Sequence, residues 1–341
     1  MPEPRARRSV KKSFRDFFTV HGFSIDDIRK QGVPSILGEL EREEDWDTEP
    51  DFLKHVKLDE RRPSGELTPR VGVAQVDIAY SDPLRNLATL YSVCKRFKKS
   101  HVKLVVFPEC YLTGYCTPTI KAAKAAAIDW SSAEGLVYRG VLLKVAEQFD
   151  QHLIVGFAER EGDTLYNAAC LVTPKGEWHE YRKSHLPEMG IDKFVSAGQD
   201  LKVIDTAIGR IGILICFDMR FPEAARILAL QKADIIVIPT NWPVGAECSA
   251  NHICIARAAE NRVFVVTCNR VGEENGFDFI GRSKVIGPTG EVINELYEFE
   301  SLMAADLNLI EARTKRTVTI PDKYVTDVFA RRPELYGKIV E

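Results

Sequence analysis

The chain has 341 residues, 45% of them hydrophobic and 28% charged, with a formal net charge of −3. That is the composition of a globular protein with a sizeable core, and its mildly acidic balance gives no general attraction to nucleic acid. No apolar run approaches the roughly 20 residues that span a bilayer.

The start of the chain is basic, with Arg5, Arg7, Arg8, Lys11, Lys12 and Arg15, and lacks the apolar stretch of a secretory signal. A mitochondrial transit peptide is the alternative to a cytoplasmic location. The eight cysteines are thinly spread and read as reduced cytosolic thiols. Residues 1–69 are charged and broken by turns, with short amphipathic pieces inside 25–40. They form either a solvated extension or an arm that packs on a neighbouring subunit. Phe14, Phe17, Phe18 and Phe23 speak for the arm, being costly to leave in water.

From Arg70 the texture changes. Residues 71–76 form a short apolar strand. Residues 82–99 read as a helix with Asp82 as N-cap and Pro83 in the first position. A buried strand at 103–107 ends at Pro108-Glu109, and a helix at 135–149 and a strand at 152–157 follow. Strands at 165–172 and 177–182 form a hairpin through Thr173-Pro174-Lys175-Gly176. A strand at 210–215 runs into Cys216. Beyond it come a helix at 222–231, a strand at 234–238, a helix at 250–261 and a strand at 263–267. Further strands are expected at about 278–287, 291–296 and 301–307. The alternation gives an α/β class, and no internal repeat is visible.

Glu109, Lys183 and Cys216 each sit where an apolar strand runs out, which is where α/β sheets gather their ligands. A thiol, a carboxylate and an amine meeting there form a complete nucleophilic set: nucleophile, base and oxyanion-binding cation. Taken singly, each is more often structural than catalytic. The Cys110–Cys116 pair and the group Cys248, His252 and Cys254 lack the spacing of zinc sites. Neither a phosphate-binding glycine loop nor a Gly-x-Ser-x-Gly elbow is present.

The flanking motifs are more specific. Phe107-Pro108-Glu109-Cys110-Tyr111-Leu112-Thr113-Gly114-Tyr115 resembles the Glu motif of the nitrilase, or carbon–nitrogen hydrolase, superfamily. Tyr181-Arg182-Lys183-Ser184-His185-Leu186 is similar to its Lys motif. Residues 212–223, centred on Ile215-Cys216-Phe217-Asp218, resemble its Cys motif. The order fits, with 74 residues from Glu109 to Lys183 and 33 from Lys183 to Cys216. Arg257–Val263 and Gly281-Arg282-Ser283 also look like family positions. The resemblance covers about residues 70–315, taken as the hydrolase domain, between the extension 1–69 and a C-terminal tail 316–341 expected in subunit contacts.

The resemblance implies a four-layer αββα sandwich, a homodimer or larger homo-oligomer, and a Glu–Lys–Cys site without metal or organic cofactor. Glu109 is then the general base, Cys216 the nucleophile and Lys183 the oxyanion stabiliser, with the Phe217 backbone N–H assisting. Many relatives carry a second acid after the Lys motif; here Asp192 and, behind it, Glu188 are the candidates. Arg220 either meets a substrate carboxylate or pairs with Asp218 or Glu223. Asn241, Trp242, Tyr115 and Tyr111 are expected around the pocket or in the core beside it, and His185 as a hydrogen-bonding scaffold.

Phe217-Asp218, where true nitrilases usually carry Trp-Glu, tilts the expectation from nitriles to small amides. N-carbamoyl amino acids, as in β-ureidopropionase-like enzymes, and nitriles are the alternatives. The extension resembles the helical one of β-ureidopropionases in length and position only. Outside the enzymes stands a non-catalytic assembly protein. A single fast-reacting thiol under iodoacetamide separates the two classes.

Overall fold

The apolar runs become strands buried on both faces, and the amphipathic stretches become helices that cover them. The computed structural model describes residues 50–340 apart from 64 and 66; the basic start and the pieces expected at 25–40 lie outside the described residues. The first half runs β1 (Arg70–Gln75), α1 (Pro83–Lys99), β2 (Leu104–Val106), α2 (Ile120–Ala126), α3 (Ala133–Phe149), β3 (His152–Glu161), β4 (Thr164–Val172) and β5 (Trp178–Arg182). The second runs β6 (Val203–Thr206), β7 (Gly209–Ile213), α4 (Pro222–Leu230), β8 (Ile235–Pro239), α5 (Cys254–Asn261), β9 (Phe264–Cys268), β10 (Val271–Glu274), β11 (Phe277–Ile280), β12 (Lys284–Ile286) and β13 (Val292–Glu295). Then follow β14 (Ser301–Asp306), α6 (Leu309–Thr314), β15 (Thr317–Ile320) and β16 (Lys323–Val325).

Two six-stranded sheets result, ordered β14-β1-β2-β3-β4-β5 and β13-β12-β9-β8-β7-β6. Period-two alternation decides what each strand faces. Val71, Val73, Leu104 and Val106 share a core with Ile211, Ile213, Ile235, Val237, Phe264 and Val266 of the other sheet. On the opposite face Ala74, Val105 and Val155 meet Leu90, Val93 and Phe97 of α1 and Leu142 of α3. In the second sheet Ile236, Ile238 and Val265 meet Leu228 of α4 and Cys254 and Ala258 of α5. The outcome is the four-layer αββα sandwich that the motifs implied. Each fully buried aliphatic or Phe side chain stabilises it by about 1.5–3 kcal/mol. The predicted start of α1 is observed: the Asp82 carboxylate accepts the Arg85 N–H at 3.3 Å, and Pro83 opens the helix.

The sheets carry the same sequence of pairings. In each, a strand antiparallel to its neighbour (β14 on β1, β6 on β7) leads into two parallel pairs (β1-β2-β3, β7-β8-β9), and two antiparallel strands close the row. The chain therefore folds as a topological repeat that the sequence does not display.

Some elements differ from expectation. The strand expected at 278–287 is broken at Gly281 and Arg282, both at φ 63°. Its first part, β11, pairs with β10 as a separate hairpin, and its second part, β12, joins the sheet. The helix expected at 250–261 opens with a π turn, Ser249–Ile253, before α5. Short β6, α2 and the β15–β16 hairpin carry too little periodicity to be read. Among the described residues no helix is long and apolar enough to cross a membrane.

Candidate active site

Glu109 lies three residues beyond β2, in a loop that folds closely over β3. The Leu112 N–H donates to Gly156 O at 3.0 Å. A Cβ on Gly156 would lie 2.5 Å from Pro108 O and 2.8 Å from Glu109 Cα, so a side chain there would displace the loop. Lys183 comes directly off β5, and its N–H donates to Asn167 O on β4 at 2.8 Å. Its carbonyl accepts the Gly198 N–H at 2.8 Å, where an added Cβ would lie 2.0 Å from Arg182 O.

Cys216 lies three residues beyond β7 and opens a 3-10 turn, Cys216–Arg220, with φ 46°. A left-handed backbone costs a non-glycine residue about 1–2 kcal/mol, so the turn has to be held from outside. Buried Asp218 does this. Its Oδ2 accepts the Ile215 N–H at 2.9 Å and the Tyr181 hydroxyl at 2.7 Å. Its Oδ1 accepts the His185 backbone N–H at 2.8 Å and lies 2.8 Å from His185 Nδ1. The cysteine turn is thereby tied to the loop after Lys183, and the His185 ring stacks on Phe221 at 3.9 Å.

The side chains of Glu109, Lys183 and Asp192 converge in one buried cluster. Lys183 Nζ donates to Glu109 Oε1 at 2.7 Å and to Asp192 Oδ2 at 2.6 Å, with all three side chains fully buried. Asn167 Nδ2 donates to both carboxylates, to Glu109 Oε1 at 2.8 Å and Asp192 Oδ1 at 2.9 Å. The Tyr115 hydroxyl donates to Asp192 Oδ2 at 2.9 Å, and its ring centroid lies 5.8 Å from Lys183 Nζ. One oxygen of Glu109 is thus fully engaged, while Oε2 is buried with no hydrogen-bond partner among the described residues.

The electrostatics follow from this packing. Burial raises the Glu109 pKa above the ordinary carboxylate value; Lys183 opposes this and the Asp192 charge adds to it. Burial works against the Lys183 ammonium, but the Asp192 and Glu109 carboxylates outweigh it and hold its pKa well above that of a free lysine. The half-buried Cys216 thiol is pushed up to about 12, by burial first and then by the Glu109 charge. Lys183, the Thr240 hydroxyl and the Asn241 backbone N–H pull it back only in part. Burial and the neighbouring Glu109 charge thus favour the thiol over the thiolate.

The other candidates fall into place individually. Asp192 joins the cluster from a 3-10 turn, Gly190–Phe194, whereas Glu188 is exposed. Asn241 Nδ2 donates to Glu109 O at 2.9 Å. Trp242 is buried in the helix-side core with Leu214 and Met219, and its backbone N–H donates to Asn269 Oδ1 at 2.8 Å. Tyr111 packs in the core beneath α1. Phe217 is half-buried, and exposed Arg220 carries its guanidinium 5.9 Å from the Phe217 ring centroid. Arg220 forms no ion pair with Asp218 or Glu223; Asp218 is taken by His185 and Tyr181.

Three buried residues went unread in the sequence as site residues. Asn167 and Asp218 are described above. Glu274, at the end of β10, pairs with Arg270, and its Oε1 accepts the Tyr115 N–H at 2.7 Å and the Cys116 N–H at 2.5 Å. It anchors the loop that carries Tyr115. A strand-terminal acid next to a glycine turn offers no signal of that kind.

The Carbon-nitrogen hydrolase family profile matches residues 70–317. The chain is similar to a protein named nitrilase from Pyrococcus abyssi, 36% identical over 270 residues that cover 78% of this chain and 98% of the relative. It is also similar to 2-oxoglutaramate amidase of Bacillus subtilis, 28% identical over 76% of this chain and 98% of that one. Among solved structures it matches a mutant of the amidase from Nesterenkonia sp. AN1, with TM-score 0.67, 25% identity, and coverage of 81% of this chain and 98% of that one. That structure shows covalent addition of the acetamide moiety of fluoroacetamide at the active site cysteine.

Proposed function

The chain belongs to the carbon–nitrogen hydrolase family, a family with an active-site cysteine, and from that premise we propose that it hydrolyses a small amide to a carboxylate and ammonia through a thioester on Cys216. The observation that carries this reading is the division of labour within Glu109. Oε1 is held by Lys183 and Asn167, and buried Oε2 is left without a partner near a thiol whose pKa lies at about 12.

Glu109 takes the thiol proton as Sγ attacks the carbonyl carbon. The oxyanion is received by Lys183 and the Phe217 backbone N–H. Two of the three Lys183 N–H bonds are committed, to Glu109 and Asp192, which leaves one for this purpose. Glu109 then passes its proton to the nitrogen, the C–N bond breaks, and ammonia leaves. Water, deprotonated by Glu109, attacks the thioester; the carboxylate departs and Sγ regains its proton. Asp192, Asn167 and Tyr115 keep the ammonium in place throughout, and Asn241 forms the wall beyond β8, with Trp242 packed behind it in the helix-side core.

Amides are favoured over nitriles by Phe217-Asp218, and the names of the relatives include both classes. A second reading, an N-carbamoyl amino acid, is favoured by Arg220, exposed beside Phe217 with no ion pair among the described residues. Assembly into a homodimer or larger oligomer belongs to the same reading. It is supported by the exposed apolar side chains of the tail, Phe329 at 71% and Val340 at 88%.

The test is ammonia release from a panel of short primary amides, N-carbamoyl amino acids and nitriles, with carbon dioxide marking the carbamoyl class. Cys216→Ala is expected to abolish release on every substrate while keeping the wild-type circular dichroism. Ammonia release at the wild-type rate in that variant would refute the mechanism.

A further inference from the structure

Glu109 Oε2 is not alone: the Thr240 hydroxyl and Asn241 Oδ1 are likewise buried without a hydrogen-bond partner among the described residues. The hydroxyl can turn its own proton toward the Cys216 sulfur, which leaves two oxygens that can only accept. An unsatisfied buried acceptor costs about 1–3 kcal/mol, so two of them beside one thiol call for an explanation.

The orientation of the Asn241 amide is fixed by its neighbour. Nδ2 donates to the Glu109 main-chain carbonyl at 2.9 Å, and a carbonyl can only accept. Turning the amide over would set oxygen against oxygen, so Oδ1 is the free end. The residue stands next to the nucleophile. β7 and β8 run parallel with Ile213 opposite Val237, which brings Cys216 level with Thr240 where the two strands run out. β2 and β8 hold matching places in the two sheets. The free oxygens of Glu109 and Asn241 therefore arrive from corresponding strand ends of the two halves.

Two acceptors beside a nucleophile call for a group with two N–H bonds. The nitrogen of a primary carboxamide has them, and so does the terminal –NH2 of a ureido group. A nitrile has none. We propose that Asn241 Oδ1 and Glu109 Oε2 receive the two N–H bonds of the substrate –NH2. Asn241 is then the residue that selects primary amides and terminal ureides over nitriles. The assignment rests on Cys216 being the nucleophile. It also serves the chemistry, because the nitrogen that must be protonated is held against the carboxylate that carries the proton.

The test uses the full chain and two small alkylating reagents, iodoacetamide and iodoacetonitrile. With each, Cys216 Sγ displaces iodide and its proton passes to Glu109. The exposed thiol of Cys248 in the same molecule corrects for intrinsic reagent reactivity. Peptide mass spectrometry gives the Cys216:Cys248 rate ratio. In the wild type that ratio is expected to be about tenfold higher for iodoacetamide than for iodoacetonitrile, as one good hydrogen bond allows. In Asn241→Ala the iodoacetamide ratio is expected to fall about tenfold, with the iodoacetonitrile ratio within about twofold of wild type. Equal wild-type ratios for the two reagents overturn the proposal, and they do so without any variant having to fold. So does an equal loss for both reagents in Asn241→Ala, since the side chain would then only brace the Glu109 loop. Cys216 inert to both reagents would overturn the nucleophile reading as well; the other two results would leave it standing.

Discussion

Replacing Asp192 with asparagine probes how the ammonium is held. In the wild type Lys183 Nζ lies 2.6 Å from Asp192 and 2.7 Å from Glu109, inside a cluster closed to solvent. At an effective dielectric of about 20, Coulomb's law gives each contact about 6 kcal/mol, against which desolvation must be set. Removing one partner of such a buried pair typically costs about 3–5 kcal/mol. Asparagine keeps the size and one acceptor, so the stability loss is expected near 3 kcal/mol, read by urea titration. The amide nitrogen must then face either the ammonium or Asn167 Nδ2, and neither can accept from it. The Asp192 charge also helps, after burial, to hold the Glu109 pKa up. Without it Glu109 is a weaker base, deprotonated at lower pH, so the acid limb of kcat/KM moves down. At the optimum kcat/KM is expected to fall about 100-fold, the scale of losing one well-placed donor to the oxyanion. The same measurement on Glu188→Gln is expected to read as wild type, because that side chain is exposed. An acid limb that moves up, or a Glu188→Gln loss as large as that of Asp192→Asn, would refute the reasoning.

Two further outcomes concern stability against pH. The Glu109 pKa is raised in the folded state, so stability is lost as pH climbs from the ordinary carboxylate value through the folded one. Glu109→Gln keeps an acceptor for Lys183 and removes the buried charge. Its melting midpoint is expected above wild type at neutral pH and equal to it below about pH 4, with turnover abolished; a gap that persists in acid contradicts this. Lys315 Nζ is buried against the carbonyls of Ala233, Asn261 and Arg262, and burial lowers its pKa from 10.5 to about 8. With the folded value the lower one, the wild type is expected to gain on Lys315→Met as pH rises from about 8 to 10.5, and not below about 7. Thermal melts of the pair across that range decide it.

How much of this was legible depended on whether the cause is local. Glu109, Lys183 and Cys216 are marked by the strands that end at them, and the Asp82–Pro83 helix start by its own cap. Asp192 stands ahead of Glu188 on position alone, because nothing local in the sequence separates the two carboxylates. In the structure the 3-10 turn opened by Gly190, whose φ of 54° carries the chain back toward Tyr115, brings the Asp192 carboxylate onto Lys183 and leaves Glu188 exposed. Asp218 looked like a partner for Arg220 because they are close in sequence. The structure gives it instead to His185 and Tyr181, across 33 and 37 residues. Glu274 reaches the Tyr115 N–H across 159 residues. The repeat was invisible because pairing order is a property of backbones, which diverging side chains need not record.

That repeat divides the residues of the candidate site between two halves that meet through a layer of hydrocarbon and a few hydrogen bonds, Asn241 to Glu109 and Tyr181 to Asp218 among them. Glu109, Asn167, Lys183 and Asp192 come from the first; Cys216, Thr240 and Asn241 from the second. The spacing of the strand ends that carry Cys216 and Glu109 is therefore tied to the layer of Val106, Ile213, Val237 and Phe264 between the sheets. The Cys268 thiol crosses the same layer to the carbonyls of Ala74 and Val106, at 3.3 and 3.2 Å. On the proposed mechanism the greasy middle of the sandwich acts as a ruler for the reaction. Substitutions that thin or swell it are therefore expected to alter turnover without touching a reactive atom.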